Sequence, residues 1–267
     1  MISAKRIMKG TVLALSLIGI LSTSAVSVRA YEPSAHRGAA FRAPENTLAS
    51  FREAAKAGYK GVEFDVYYTH KGAFLVNHDS DLKRIYGSNV SIYSLGYHDR
   101  NKYHVRAGAN WTSYRNETLP SLRAALRTMK AYHLKGYLHV KNRRLSRRQA
   151  RRLARIIKRE GMRKNVTVFS GNTRVFRTVS KYNRRTGLFI HTTSTRKVKR
   201  TIRYVRRHHG DLIIFSCAKN PILRRRWVRY AHRKGLKTAS YAVGTRRKAH
   251  IIAAARGDII FADNNIH

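Results

Sequence analysis

The chain has 267 residues, of which 43% are hydrophobic, and this is enough for one large domain with a sizeable core. It carries 56 Lys and Arg against 13 Asp and Glu, a formal charge of +43, which strongly favours polyanionic partners. Its single cysteine, Cys217, excludes an intramolecular disulfide, so stability must come from the core or from a bound metal. Because Cys217 follows an apolar run, a packing role is predicted for it.

The first 30 residues have the layout of a secretory signal peptide. Three early bases precede an apolar run, Gly10–Leu21, and Val28-Arg29-Ala30 fits a small-x-small cleavage site. The run is too short to cross a bilayer, although an uncleaved membrane anchor is the alternative interpretation. We therefore predict a signal peptide over 1–30 and one domain over 31–267. The protein is expected to be secreted or associated with the cell surface.

Short β-type runs alternate with amphipathic segments over the rest of the chain. Alternation of this kind predicts parallel strands joined by right-handed helical crossovers, and eight strands predict an α/β fold of the (β/α)₈ TIM-barrel type. An open, doubly wound sheet is the alternative, and the few residues after the last strand predict a short or missing final helix. The predicted strands are Ser34–Arg37, Gly61–Tyr67, Gly136–Lys141, Val166–Ser170, Gly187–His191, Asp211–Ser216, Lys237–Val243 and Asp258–Ala262. The predicted helices are Thr47–Ala57, Ser121–His133, Ser146–Arg159, Thr173–Tyr182, Thr195–His208, Pro221–Lys234 and Arg246–Ala255.

Residues 80–118 break this alternation. They contain three glycines, five tyrosines and a tryptophan, and they predict an insertion after the second strand that lies over the barrel mouth.

Glu63 and Asp65 are the first candidate site residues. They are two apart on a predicted strand, so both side chains point to the same face, into the barrel. Two converging carboxylates repel each other and lose solvation, and a divalent cation relieves both effects. Salt bridges to the many bases are an equally good explanation of the pair taken alone.

Two histidines favour the metal interpretation. His36 and Arg37 end the first predicted strand, where barrel catalytic residues lie, and His78 precedes Asp79 after a short apolar run. Histidines beside a metal suit acid–base transfer near neutral pH, and the Arg37 guanidinium suits a phosphate oxygen.

These motifs, taken in order, resemble the glycerophosphodiester phosphodiesterase family. The resemblance is strongest in the first third and weaker towards the end, where Gly257 to Asp263 match. It is carried by His36-Arg37-Gly38, Pro44-Glu45-Asn46-Thr47-Leu48, Gly61-x-Glu63-x-Asp65-Val66, Gly72, His78-Asp79 and Glu117-Thr118-Leu119-Pro120.

The resemblance implies a barrel hydrolase that cuts a glycerophosphodiester into glycerol phosphate and an alcohol. His36 and His78 would be the acid–base pair. Glu63 and Asp65 would bind one divalent metal ion, such as Ca²⁺, Mg²⁺ or Mn²⁺. Arg37 and Lys141 would bind the phosphate of the substrate, and Glu45 would support the site.

The third predicted strand departs from the family pattern. The family has Glu-x-Lys there, whereas this chain has His139-Val140-Lys141, so a histidine replaces the third metal-binding carboxylate. We expect His139 to be a ligand and to favour Mn²⁺ or Zn²⁺ over Ca²⁺. A weakened metal site, or a His139 with no metal role, are the alternatives.

Charge and export extend the functional hypotheses. Anionic glycerol-phosphate polymers or lipid headgroups would be drawn to the chain, and we expect electrostatic association with an anionic cell wall or membrane surface. A lyase that stops at a cyclic phosphate is a related enzyme hypothesis. A catalytically weakened or inactive cationic binding protein on the same scaffold is the non-enzyme hypothesis. No nucleic-acid-binding module is recognised, so no specific nucleic acid is expected.

Overall fold

A computed structural model describes residues 31–190, 192, 194–216 and 225–266. The predicted signal peptide and Cys217, with its predicted packing role, lie outside the described residues, as does the first part of the predicted helix that starts at Pro221.

The described chain alternates strands and helices, and the predicted bounds differ from the observed ones mostly by one or two residues. The strands are β1 (Glu32–His36), β2 (Gly61–Tyr68), β3 (Phe74–Val76), β4 (Asp81–Leu82), β5 (Ser88–Ser91), β6 (Lys135–Val140), β7 (Val166–Ser170), β8 (Thr186–Ile190), β9 (Leu212–Ser216), β10 (Lys237–Val243) and β11 (Ile259–Ala262). The helices are α1 (Leu48–Lys56), α2 (Lys83–Tyr86), α3 (Leu122–Ala131), α4 (Arg147–Arg159), α5 (Thr173–Val179), α6 (Thr195–Arg207), α7 (Arg225–Arg233) and α8 (Arg246–Ala254).

Eight parallel strands close into a barrel, which confirms the predicted fold class. The hydrogen-bonded order is β1-β11-β10-β9-β8-β7-β6-β2, and β2 pairs with β1 again. In the register His36 lies beside Glu63, and Asp65 lies beside His139. The closure therefore brings the candidate site residues of β1, β2 and β6 together at the carboxyl ends of adjacent strands.

The helices cover the barrel with narrow apolar faces. In α4, Ala150, Leu153 and Ile157 are buried while most of the arginines around them are exposed. Side-chain oxygens cap the starts of α1, α3, α4, α5, α6 and α8. Residues 263–266, the described residues after β11, form no helix, as the sequence indicated. Within the described ranges, the helices are all too short or too polar to traverse a lipid bilayer.

A second apolar cluster belongs to the segment after β2. The run before His78, which the sequence analysis left without an element, forms β3 and pairs antiparallel with the end of β2. Residues 80–118 form β4, α2, β5 and three short 3₁₀ helices, and their apolar side chains pack with Tyr67 and Leu75. This cluster is separate from the main core between the barrel and its helices.

The turn after β1 is held in an unusual backbone conformation. Arg37 and Gly38 have φ of +58° and +81°. A Cβ added to Gly38 would lie 2.3 Å from Ser50 Oγ and 2.9 Å from the Ser50 backbone carbon. The turn therefore needs glycine both for its conformation and for its close approach to α1.

Gly38→Ala should lower the free energy of unfolding by about 3 kcal/mol, because it adds a steric clash to backbone strain. Gly58→Ala is the matched control, since Gly58 has the same φ of +81° and nothing within 4 Å of an added Cβ. The control should lose only about 1 kcal/mol, and urea unfolding of both variants measures the difference. Equal losses would show that the contact with Ser50 has no energetic weight.

Candidate active site

Two buried carboxylates lie at the centre of the site. Glu63 and Asp65 are each 2% exposed and both face the barrel interior, while Val62, Phe64 and Val66 between and beside them pack in the helix-side core. This is the alternation that the strand pattern predicted.

Asp65 is held by partners from two other segments, the turn before α1 and the end of β6. Asn46 Nδ2 donates to its Oδ2 at 3.1 Å, and the backbone N–H of Asp65 donates to Asn46 Oδ1 at 3.0 Å. His139 Nδ1 lies 3.1 Å and Lys141 Nζ 3.5 Å from Oδ1. Burial raises the pKa of Asp65, but the hydrogen bond from His139 and the charge of Lys141 outweigh it and hold the pKa well below its usual range.

Glu63 is less well compensated. Its Oε2 accepts the backbone N–H of Arg37 at 3.3 Å and lies 3.7 Å from His36 Nε2. Burial and the neighbouring charge of Asp65 raise the pKa of Glu63 to about 8. The pair therefore lacks positive charge at Glu63, and a divalent cation would supply it.

The carboxylates and His139 form a set that fits a metal ion. Glu63, Asp65 and His139 each offer one ligand atom, and these atoms all lie within 4.8 Å of one another. Two carboxylate oxygens and one imidazole nitrogen suit a divalent cation of the Mg²⁺, Mn²⁺ or Zn²⁺ kind. Salt bridges, the alternative for the acidic pair, occur as well, since Arg37 Nε lies 3.7 Å from Asp65.

Each of the two candidate catalytic histidines is oriented by an aspartate. His36 Nδ1 lies 2.6 Å from Asp263 Oδ1, and His78 Nδ1 lies 2.7 Å from Asp79 Oδ1. A carboxylate only accepts, so Nδ1 carries the proton in both rings and Nε2 is the atom available to a substrate. For His36, burial lowers the pKa, but the hydrogen bond that its Nδ1–H donates to Asp263 and the charge of Glu63 raise it overall. For His78, burial lowers the pKa below its ordinary value.

Arg37 is fixed by a chain of ion pairs. Its Nη1 donates to both Glu45 oxygens at 3.1 and 3.3 Å, and Arg84 binds both Glu45 and Asp79 at 2.7 Å. The Nε of Arg37 is buried and donates no hydrogen bond to a described residue. A phosphate oxygen in the pocket would provide the acceptor that this N–H lacks.

These residues line one pocket at the carboxyl ends of the strands, and its space of about 430 Å³ includes open solvent. One side is polar and carries all of the predicted site residues except Glu45, which lies behind Arg37. The other side is an apolar wall, and the His139 ring stacks on its Phe169 at 4.7 Å. The wall consists of Phe169, Phe189, Ile214, Tyr241 and Phe261. Residues 80–118 contribute nothing to this lining, and their nearest contribution is Arg84 beside Glu45.

Sequence reasoning missed four residues of this arrangement. Asn46 lies inside a motif that was recognised, but no role was given to it, and Asp263 closes the last strand of the resemblance. Arg84 was given no role and Tyr241 carries no sequence signal, because only the folded chain brings Arg84 to Glu45 and Tyr241 to the pocket. Tyr241 packs edge-on against the His36 ring at 5.1 Å.

The fold and the site define a (β/α)₈-barrel protein with two aspartate-paired histidines and a candidate metal centre in one pocket. The model of the Glycerophosphoryl diester phosphodiesterase family matches residues 36–266, and the chain therefore belongs to this family.

Similar proteins agree with this assignment. The chain is 35% identical over 108 residues to glycerophosphodiester phosphodiesterase 1 of Bos taurus, covering 40% of this chain and 33% of that protein. It is 37% identical over 75 residues to the probable glycerophosphodiester phosphodiesterase 2 of Mycobacterium tuberculosis, 28% of each chain. The alignments thus span about a third of the length of these curated relatives.

Solved structures of the same fold cover nearly the whole chain. A phosphodiesterase of Oleispira antarctica in complex with the product sn-glycerol-3-phosphate has a TM-score of 0.77 at 21% identity, covering 88% of this chain and 94% of its own. A glycerophosphodiester phosphodiesterase of Agrobacterium tumefaciens has a TM-score of 0.73 at 20% identity, covering 89% and 98%. At these identities the likeness establishes the barrel fold.

Asn46→Ala should weaken divalent-metal binding about 10- to 100-fold, because Asp65 loses the two hydrogen bonds that it makes with Asn46. Asn46 also has a positive φ of +55°, so Asn110→Ala is the matched control, with φ of +50° in an exposed turn far from Asp65. Calorimetric titration with Mn²⁺ measures both variants. The interpretation of Asn46 as a positioning residue would be wrong if the two variants bound Mn²⁺ equally well.

Proposed function

We propose that the protein is an exported, metal-dependent phosphodiesterase that hydrolyses glycerophosphodiesters to glycerol phosphate and an alcohol. The observation that carries the proposal is one pocket in which two aspartate-oriented histidines, an arginine, a lysine and a metal-type ligand set converge. Membership in the family and the product bound to the Oleispira antarctica relative support the same reaction.

Arg37 and Lys141 would bind the phosphate of the substrate. Both cations line the pocket. Both also lie within 4 Å of Asp65, and this shared contact holds them at a similar depth in the pocket. Glu45 fixes the Arg37 guanidinium, so its free Nε–H is available to a phosphate oxygen. Glu63, Asp65 and His139 would hold the divalent cation, which when bound neutralises phosphate charge and lowers the pKa of a hydroxyl bound to it.

His36 and His78 would move the protons. We assign the base to His36, because Asp263 accepts its Nδ1–H and stabilises the imidazolium that forms when Nε2 takes a proton. His78 would give the proton from its Nε2 to the departing alcohol oxygen. Its partly exposed position lets the ring be reloaded with a proton from solvent, and its lowered pKa makes the imidazolium a readier proton donor once it has formed.

The attacking group would be a hydroxyl of the glycerol itself. A neighbouring hydroxyl attacks phosphorus, the alcohol leaves, and water then opens the resulting cyclic phosphate. The related lyase hypothesis stops at the cyclic product, and phosphorus NMR of the products separates the two. The apolar wall opposite the cations leaves room for the alcohol, with Phe189 and Tyr241 as its aromatic surfaces.

Export and charge would determine where the enzyme meets its substrate. The predicted signal peptide would place the protein outside the cell, as a secreted or surface-associated protein. There, glycerol-phosphate polymers and deacylated lipid headgroups offer the same phosphodiester bond. The excess of bases would hold the protein on an anionic wall or membrane surface.

The second candidate is a cationic surface-binding protein with a weakened catalytic site. The replacement of the family glutamate by His139 favours it. The hydrogen bond between His139 and Asp65 favours the enzyme instead, since it keeps His139 within the ligand set.

Purified protein should release glycerol phosphate from glycerophosphocholine only with a divalent metal, and His36→Ala should reduce the rate by about 10²- to 10⁴-fold. Enzyme-coupled detection of glycerol phosphate with Ca²⁺, Mg²⁺, Mn²⁺ and Zn²⁺ in turn measures this. His104→Ala is the matched control, because His104 lies in the insertion, outside the pocket lining. A folded protein that releases nothing with any of these metals would support the binding-protein candidate.

A diester with a 4-nitrophenyl leaving group separates the two histidines. This leaving group needs no proton, so His78→Ala should regain activity on it, whereas His36→Ala should stay inactive. The opposite pattern would reverse the assignment of base and acid.

His139→Glu should shift metal preference towards Ca²⁺, because a third carboxylate replaces the imidazole. The rate ratio between Ca²⁺ and Mn²⁺ is the readout, and His139→Gln is the neutral control. An unchanged ratio in His139→Glu would count against His139 as a ligand.

A further inference from the structure

We infer that the catalytic face of the barrel carries a rim of unpaired cations, here called the rim, that binds a linear polyanion with repeated phosphate groups. The inference rests on the proposed function and identifies a substrate-binding surface beyond the pocket. It is defined by exposed bases in the first turns of α4, α6 and α8: Arg147, Arg148, Arg196, Lys197, Arg246 and Arg247.

The topology places these bases around the mouth. Each helix of the barrel begins just after the carboxyl end of the preceding strand, and the pocket opens at those carboxyl ends. The starts of α4, α6 and α8 therefore lie on the face of the barrel at which the pocket opens. Helix α5, between α4 and α6, begins the same way with an exposed Arg174.

The bases stand at positions that local helix energetics disfavours. The amino end of a helix carries partial positive charge and prefers acids, yet the first turns of these helices contain none. Arginine and lysine there repel the helix dipole. This repulsion between basic side chains and helix dipoles recurs at several helix starts on one face of the molecule. Its recurrence indicates an anion that binds across that face.

The acidic residues in the second half of the chain lie mostly at the end of the barrel opposite the rim. After Glu117 the sequence has four acids, and Glu160, Asp211 and Asp258 all precede strands, at the amino end of the barrel. There they pair with Arg127, Arg185 and His232 at 2.9, 3.3 and 2.7 Å. The fourth acid, Asp263, lies at the mouth of the barrel and pairs with His36.

The rim is consequently unneutralised. Among the residues that the structure describes, none of its six bases has a carboxylate within 4 Å, whereas Arg127, Lys135 and Arg185 at the amino end of the barrel do. Uncompensated cations on one face attract a chain of phosphates through released counterions, and one chain can contact several of them at once.

The surface favours a polymer over a membrane. Segments that lie on bilayers combine bases with apolar side chains that enter the lipid. The large hydrophobic residues that are most exposed in the described chain are Tyr97, Tyr132 and Ile251, and none belongs to the first turns that form the rim. The rim cations instead lie at helix starts on the face where the pocket opens, and one repeat of a thin chain could pass into that opening.

The test compares two variants that lose the same charge at opposite ends of the barrel. The rim variant replaces the six rim bases with glutamine. The opposite-end variant replaces six exposed Lys and Arg residues at the carboxyl ends of α4, α6 and α7 with glutamine: Lys158, Arg159, Arg206, Arg207, Arg233 and Lys234. Circular dichroism melting checks that both are folded.

Poly(glycerol phosphate) and glycerophosphocholine are the two substrates. The rim variant should lose about tenfold or more in kcat/KM on the polymer, and the dependence of that rate on salt should become shallower. It should keep its rate on glycerophosphocholine within about twofold. The opposite-end variant should keep its rates on both the polymer and glycerophosphocholine. Equal losses in the two variants, or no loss in the rim variant, would overturn the proposal.

Binding separates failure of the rim from failure of the proposed function. Anisotropy of labelled poly(glycerol phosphate), without metal, should show about tenfold weaker binding by the rim variant even if no turnover is seen. Cosedimentation with phosphatidylglycerol vesicles is the second arm. A rim variant that loses vesicle binding but keeps polymer affinity would overturn the proposal in favour of a membrane surface.

Discussion

The repulsion between Glu63 and Asp65 is the constraint around which the site is arranged. Two carboxylates buried side by side in a barrel are unstable without compensating charge and hydrogen bonds. Asp65 receives these from Asn46, before α1, and from His139 and Lys141 at the end of β6. Glu63 is left with a single backbone N–H and an adjacent imidazole, and its raised pKa reflects this. The unequal compensation is what makes the pair receptive to a cation.

Charge in this barrel is sorted by depth as well as by sign. The acids that line the pocket lie deep and are shared among histidines and a few fixed cations, while the bases of the rim lie at the surface. Surface charges are separated from the pocket by solvent, which screens interactions beyond about 10 Å at 0.1 M salt. A cation-binding centre and an anion-attracting entrance can therefore exist on one face without cancelling each other. Sequence composition gives only a total charge of +43, whereas the fold separates the buried acids of the pocket from the exposed bases of the rim.

The sequence was sufficient for whatever depends on local periodicity. Alternating apolar patterns located the eight barrel strands, and the two-residue spacing of Glu63 and Asp65 correctly placed both carboxylates inside the barrel. The run that forms β3 was missed because three residues carry too little periodicity to identify a strand. Asp263 could not be linked to His36 from sequence, since 227 residues separate them and only barrel closure makes them neighbours.

The remaining misses are of the same non-local kind. Asn46 adopts a positive φ that brings its amide onto Asp65, and this depends on the turn that precedes α1. Tyrosine-rich residues 80–118 suggested a cover for the pocket, yet they pack on their own apolar cluster with β3. Composition indicates that such a segment has aromatic surface to bury, but not which partner it buries it against.

The hydrogen bond between His36 and Asp263 joins the first barrel strand to the residue that follows the last one. The ring of a candidate catalytic residue is thus oriented only when β11 has docked between β10 and β1. Catalytic activity would then require that the barrel has closed completely. A chain still emerging from the ribosome or threading through a membrane, even with β1, β2 and β6 assembled, would hold its substrate-side residues but lack an oriented base. The order of assembly itself would keep the enzyme silent until the barrel is whole.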